Sequence, residues 1–289
     1  MAWVDFTGRE IAPVALAPGP YTFGSLAPDD RRVALQRFES ADASDIWIAD
    51  LERGVATRFT DEPGANEGPA WSPDGTRIAY VWSNNSPQVV KIKSLVGDTV
   101  ATFLESDPLF KRFHGWTPDG QNIIYSRLDP STQWDLWVLP LGGDGKPHPY
   151  LRTRFNESGA DVSRDGRWVL YQSDESGQFE VYVQSFPVPG GKYQATTGGG
   201  AYGFWSWDGR QFYYGLNSDP IHAFEADVQS GGEFRLGPPR VAFTWPKDQR
   251  GNLLAHTGKR LLALLPAGND PTPSITVVLD GLPKASRRY

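Results

Sequence analysis

Six short segments of this chain repeat one another: Ser25-Leu26-Ala27-Pro28-Asp29-Asp30, Trp71-Ser72-Pro73-Asp74-Gly75, Trp116-Thr117-Pro118-Asp119-Gly120, Val162-Ser163-Arg164-Asp165-Gly166, Trp205-Ser206-Trp207-Asp208-Gly209 and, more faintly, Leu254-Ala255-His256-Thr257-Gly258. Measured at the last residue of each, they stand 45, 45, 46, 43 and 49 residues apart. A fixed period of that length means one supersecondary unit copied around an axis or along a solenoid. It also limits what can be read of function, because radial repeat folds host many unrelated activities and only their sites distinguish them.

The unit from Gly68 to Ser106 contains four β-rich runs separated by turn residues: Gly68 to Trp71, Arg77 to Trp82, Val89 to Ile92 and Val100 to Leu104. Asp-Gly between the first two is a tight-hairpin signal, since Gly takes a positive φ at no steric cost. The run after each turn recurs as Val33-Ala34-Leu35, Ile78-Ala79-Tyr80, Ile123-Ile124-Tyr125, Val169-Leu170-Tyr171, Phe212-Tyr213-Tyr214 and Leu261-Leu262-Ala263. A third run recurs as Asp45-Ile46-Trp47-Ile48, Asp135-Leu136-Trp137-Val138 and Glu180-Val181-Tyr182-Val183.

These runs are apolar at successive positions, as in a sheet covered on both faces, and each blade of a propeller lies between two others. Helices are disfavoured by 24 prolines and by the absence of a sustained 3.6-residue period. The pattern predicts an all-β, single-domain β-propeller with four-stranded antiparallel blades, six in number; seven, one of them incomplete, is the alternative. The expected division is a closing hairpin over 1–24, repeats over about 25–67, 68–112, 113–158, 159–201, 202–250 and 251–280, and a tail over 281–289. Strands near both termini, around Trp3 to Leu16 and Ile275 to Leu279, could close the ring together, which would remove open sheet edges.

Composition supports a folded core: aromatic residues make up 13% of the chain, with 11 Trp, 11 Tyr and 15 Phe. A net charge of −6 argues against a general nucleic-acid surface, which needs clustered Lys and Arg. The basic cluster from Lys284 to Arg288 reads as a solvated tail. There are no cysteines, so disulfides and thiolate metal sites are excluded while the redox compartment stays open. The first residues lack the basic and apolar regions of a signal peptide, and no stretch approaches the ~20 apolar residues of a spanning helix, so direct membrane insertion is not expected.

Catalytic motifs are sparse. Gly198-Gly199-Gly200-Ala201-Tyr202-Gly203 matches G-x-G-x-x-G, but a phosphate loop needs a following helix, and here Phe204-Trp205-Ser206 leads into another hairpin. No Gly-x-Ser-x-Gly elbow occurs. His114, His148, His222 and His256 lie in different repeats without metal-ligand spacing, so no zinc site and no cofactor are expected.

The remaining candidate is positional. Loops from one blade's outer strand to the next blade's inner strand converge on the central channel. Counting back eight or nine residues from each turn gives Tyr21 and Thr22, Asn66 and Glu67, Lys111 and Arg112, Glu157 and Ser158, Gly200 and Ala201 with Tyr202 next, and Gln249 and Arg250. The expected ligand-binding ring is Tyr21, Glu67, Lys111, Arg112, Glu157, Tyr202 and Arg250, a polar surface for a small molecule or a protein segment. A calcium site supporting lactonase-like hydrolysis would instead use Asn66, Glu67, Asn156, Glu157 and Asn252 as oxygen ligands, opposed by Lys111 and Arg112.

The Trp-Ser-Pro-Asp-Gly repeats resemble the TolB-type, WD-repeat-like bacterial propellers. Thr132-Gln133-Trp134-Asp135-Leu136-Trp137-Val138, Ser173-Asp174-Glu175-Ser176-Gly177, Tyr182-Val183-Gln184-Ser185-Phe186-Pro187 and Ile275-Thr276-Val277-Val278-Leu279 further resemble the propeller that follows the kinase domain in many bacterial receptor-like serine/threonine kinases. That resemblance implies a non-catalytic, extracytoplasmic sensor or interaction module. A periplasmic TolB-like scaffold and the calcium-dependent hydrolase are the alternatives. The chain itself carries neither the catalytic-loop His-Arg-Asp nor the Asp-Phe-Gly of a kinase.

Overall fold

Each repeated turn is built around a hydroxyl and a carboxylate. In Ser72-Pro73-Asp74-Gly75 the Ser72 Oγ accepts from the Arg77 N–H at 3.0 Å and donates to Asp74, whose Oδ1 also accepts from the Thr76 N–H at 3.0 Å. Thr117 with Asp119 and Ser163 with Asp165 repeat the arrangement. Gly75, Gly120, Gly166 and Gly209 have φ between 67° and 71°, the left-handed region that glycine enters without strain. In the first repeat Asp30 occupies this position at φ 60°, which an Asx residue tolerates.

The structure, a computed structural model, describes residues 2–4, 10–13, 16, 19–85, 87–97, 99–105, 107–206, 209–215, 221–228, 234–243, 252–256, 261–266 and 273–277. Every element among them is a β-strand. The N-terminal hairpin is β1 (Ala2–Val4) and β2 (Glu10–Pro13). Blade one is β3 (Tyr21–Leu26), β4 (Arg32–Ser40), β5 (Ala43–Asp50) and β6 (Val55–Arg58). Blade two is β7 (Ala65–Trp71), β8 (Arg77–Ser83), β9 (Val89–Ser94) and β10 (Val100–Phe103). Blade three is β11 (Lys111–Trp116), β12 (Asn122–Asp129), β13 (Gln133–Pro140) and β14 (His148–Leu151). Blade four is β15 (Glu157–Val162), β16 (Trp168–Ser173), β17 (Glu180–Ser185) and β18 (Lys192–Gln194).

Blade five is β19 (Ala201–Trp205), β20 (Gln211–Gly215), β21 (Ile221–Val228), β22 (Phe234–Leu236) and β23 (Arg240–Phe243), the last two both paired with β21. Blade six is β24 (Asn252–His256), β25 (Leu261–Pro266) and β26 (Pro273–Val277). Within blades the strands run antiparallel in chain order. A single parallel bridge between Ser44 and Ala65 joins blades one and two. β24 and β26 lie beside β3, so blade six returns to blade one, and β1 lies beside β26. The architecture is a β-propeller.

Alternation along the second strand of each blade explains its unbroken apolar character. Leu170 packs with Trp205, Phe212 and Tyr214 of blade five, whereas Val169 and Tyr171 pack with Ile124, Leu136 and Val138 of blade three. Likewise Ile78 and Tyr80 face blade one, and Ala79 packs with Ile123 and Tyr125 of blade three. Successive side chains thus fill successive inter-blade cores. Burying each large apolar side chain contributes roughly 1.5–3 kcal/mol.

The turns add polar locks between blades. Trp116 Nε1 donates to the Ala70 carbonyl at 3.1 Å, and Trp205 Nε1 donates to the Asp161 carbonyl at 3.2 Å. The Arg32 and Arg77 guanidiniums lie over the Trp71 and Trp116 rings at 4.7 and 4.8 Å. Buried carboxylates at the start of third strands serve a similar end. The Asp45 carboxylate accepts from Thr60 Oγ1, which itself accepts from the Ile46 N–H, and Glu180, Thr196 and Val181 repeat this relay. Antiparallel order puts the hairpins between first and second strands, and between third and fourth, on one face, here called the turn face. The second-to-third hairpins and the blade-to-blade loops lie on the other, the loop face.

Candidate functional site

In all six inner strands the pairing register slips at the same place: between Tyr21 and Gly24, Glu67 and Ala70, Phe113 and Gly115, Ser158 and Asp161, Ala201 and Phe204, and Leu253 and Ala255. Each slip is a β-bulge, which frees a residue from the ladder and re-aims its neighbours. Two freed N–H groups are recaptured by a glutamine from the preceding blade. The Gly68 N–H donates to Gln36 Oε1 at 3.2 Å, and the Tyr202 N–H donates to Gln172 Oε1 at 3.1 Å.

Between the inner strands lie two connected cavities. The one toward the loop face has a volume of about 530 Å³ and is walled by Glu67, Gly68, Lys111, Arg112, Phe113, His114, Ser158, Gly159, Gln172 and Tyr202, among others. The one toward the turn face is about 470 Å³ and includes Pro28, Pro73, Pro118, Asp161, Arg164 and Trp205. Phe113, His114, Gly159 and Tyr202 belong to both walls and mark the waist between them. Tyr202 is 68% exposed and held at φ 55°, an uncommon conformation for an aromatic residue.

The polar groups differ sharply in what they can offer a ligand. The Glu67 carboxylate is half-buried, has no hydrogen bond or ion pair among the described residues, and is pushed above its ordinary range by desolvation. Arg112 lies over the Trp134 ring at 4.3 Å, and Trp134 meets the half-exposed Phe110 edge-on at 6.0 Å. At the waist, the half-buried His114 ring lies 2.5 Å from Ser126 Oγ, and desolvation lowers its pKa to about 3, so the imidazole is neutral. On the turn side burial raises Asp161 to about 6, while its carboxylate accepts from the Trp205 N–H at 2.7 Å.

Of the residues expected at the channel mouth, Glu67, Arg112 and Tyr202 are brought together in one cavity. Lys111 adjoins it, but its ammonium is enclosed, donating to the carbonyls of Gln88, Asp107 and Leu109 at 3.2, 2.6 and 2.7 Å. Tyr21, 5% exposed, and Glu157, 2% exposed, line neither axial cavity. Glu157 accepts from Thr153 Oγ1, and burial raises its carboxyl to about 7. Arg250 lies outside the described residues.

Of the residues in the calcium reading, Asn66 and Asn156 are oriented through their amide nitrogens, and the Asn252 side chain lies outside the described residues. Asn66 Nδ2 donates to the Ser44 carbonyl at 3.0 Å, and Asn156 Nδ2 donates to Asp174 at 2.7 Å. Among the described residues no three Asp, Glu or His side chains converge as a metal site would require. The glycine-rich loop is also filled from within: the Gly198 and Gly199 N–H groups both donate to Glu180 Oε1 at 2.8 Å, where a phosphate loop would present them to a ligand. Phe113, Gly159 and the glutamines behind the bulges were not marked by the turn spacing. The feature that selects them is the common register slip.

A scan against protein-family models finds no match. The chain superimposes on TolB from Acinetobacter baumannii with a TM-score of 0.61 at 19% identity, over 78% of this chain and 56% of that one. Its fold is the TolB-type β-propeller. Among curated proteins it is 28% identical over 117 residues to the Tol-Pal system protein TolB of Bordetella pertussis, over 39% of this chain and 26% of that one. It is also 26% identical over 103 residues to tricorn protease homolog 1 of Streptomyces coelicolor, over 36% and 10%. The chain therefore spans well under two thirds of each of these relatives. They bear on the propeller, and the finer resemblance to kinase-associated propellers gains nothing from them. No helix among the described residues is long and apolar enough to cross a membrane.

Proposed function

We propose that this protein is a non-catalytic, TolB-like scaffold that captures an extended segment of a partner protein in the loop-face half of its axial channel. The observation that carries the reading is the cavity of about 530 Å³ itself, with exposed Tyr202 and Phe110 and the stacked Arg112–Trp134 pair on its wall. Exposed aromatic and Arg side chains beside a concavity are typical anchors of protein recognition. The bulged inner strands hold these groups on rigid elements, which lowers the ordering cost of binding. The neutral His114, with its partner Ser126 fully buried, offers no activated nucleophile at the waist. Similarity to a Tol-Pal system protein favours this scaffold over a kinase-linked sensor, and its implied setting is extracytoplasmic.

The test is a phage-displayed library of random octapeptides panned on the whole chain. The reading predicts selected peptides whose affinity falls about tenfold in Tyr202→Ala and Phe110→Ala and is unchanged in Val188→Ala on the turn face. Recovery of no binding peptide, or affinities indifferent to both aromatic substitutions, would refute it.

A further inference from the structure

Glu67 is the one carboxylate shared by two cavities of the loop face among the described residues. It lies on the wall of the axial cavity and also on that of a second, outer cavity of about 830 Å³. The outer cavity is bounded by the second-to-third hairpins of blades one and two, at Ser40 to Ala43 and at Ser83 to Asn85 with Pro87 and Gln88, and by the Pro108-Leu109-Phe110 approach to blade three. Gln88 and Phe110 also belong to both walls, so the two cavities adjoin at these three side chains and follow one another from the rim to the axis. A path of this form suits an extended chain better than a compact molecule.

The charge along the path is uneven. Among the described residues the Glu67 carboxylate meets no donor, although desolvation has already weakened its hydration. The two cations on the same cavity wall do not compensate it. The Lys111 ammonium is enclosed by three carbonyls and Asp107, and the Arg112 guanidinium is stacked on Trp134. Asp42 on the outer wall adds a second negative group, and the whole chain carries −6. A partly desolvated, unpaired carboxylate between two cavities gains most from a cation that brings its own hydrogen-bond donors.

We propose that Glu67 is the specificity determinant of the groove and receives a Lys or Arg side chain of an extended polypeptide lying from the outer cavity, over Phe110, to the axis. This rests on the peptide-capture reading above and adds the chemical class of the segment captured. The basic side chain donates to the Glu67 carboxylate, its aliphatic stem packs on Phe110, and the flanking backbone follows the groove inward toward Tyr202.

The same octapeptide library, panned in parallel on the wild type and on Glu67→Gln, separates the two levels. Enrichment of Lys or Arg at one position on the wild type, lost on Glu67→Gln, is the expected result. A synthetic wild-type-selected peptide should then lose about tenfold in affinity when its basic residue becomes norleucine, and Glu67→Gln should abolish that difference. Peptides that bind the groove without a basic preference, or whose preference survives Glu67→Gln, overturn this inference and leave peptide capture standing. A library that yields no binder overturns both. Thermal unfolding of Glu67→Gln, expected to be no less stable than the wild type because a desolvated charge is removed, ensures that any lost binding comes from the carboxylate and not from the fold.

Discussion

Replacing Glu157 by Gln should stabilise the protein at neutral and alkaline pH while leaving it unchanged in acid. The carboxyl is 2% exposed, one of its oxygens has no partner among the described residues, and its pKa rises from the ordinary 4.5 to about 7, chiefly through desolvation. Because the folded value lies above the unfolded one, the native state holds the proton more tightly. Its contribution is fully present below pH 4.5, declines as pH rises toward 7, and is constant beyond. At about 1.4 kcal/mol per pH unit, ionising Glu157 inside the fold costs about 3 kcal/mol. Gln retains an oxygen to accept from Thr153 Oγ1 and cannot ionise, so the cost disappears. The expected gain in Tm at pH 8 is roughly 5–10 °C. Calorimetric unfolding of both proteins from pH 4 to 8.5 measures the difference directly, which cancels the titration of other groups. Parallel curves, or a variant less stable than wild type at pH 8, would refute the burial argument.

Two further substitutions probe the scaffold. Lys111→Met leaves the carbonyls of Gln88, Asp107 and Leu109 without their shared donor, and urea unfolding should show a loss of about 2–4 kcal/mol, with peptide affinity per folded molecule unaltered. Ser163→Ala removes the Oγ that caps the buried Trp168 N–H at 2.9 Å and should cost about 1 kcal/mol in the same assay.

The contrast between Lys111 and Arg112 shows what the sequence could and could not convey. The turn spacing identified the inner strands, because the Ser-x-Asp-Gly hairpin depends on residue types that few other turns demand. The same spacing placed Glu67, Arg112 and Tyr202 at the cavity. It could not place pairs of neighbours correctly, since adjacent residues of a strand face opposite sides. Lys111 and Glu157 precede the cavity-wall residues Arg112 and Ser158 and are themselves buried, as is Tyr21. The bulges were hidden for a different reason. The residues at the slips include Gly68, His114, Gly159 and Tyr202, which share a backbone register and no side-chain chemistry. The acid–threonine relays of Asp45 with Thr60 and Glu180 with Thr196 were half visible: the acids recur in the third-strand motif, but their partners lie 15 and 16 residues away across the blade.

The central claim concerns where a partner sits. A photo-crosslinking amino acid placed at Tyr202 in the axial cavity, and separately at Val188 on the turn face, can be activated in cells of the protein's source and its products mapped by mass spectrometry. Capture predicts adducts at Tyr202 that map to one short extended segment of a partner protein, with none of that segment at Val188. Adducts of the partner at Val188 and none at Tyr202 would contradict it.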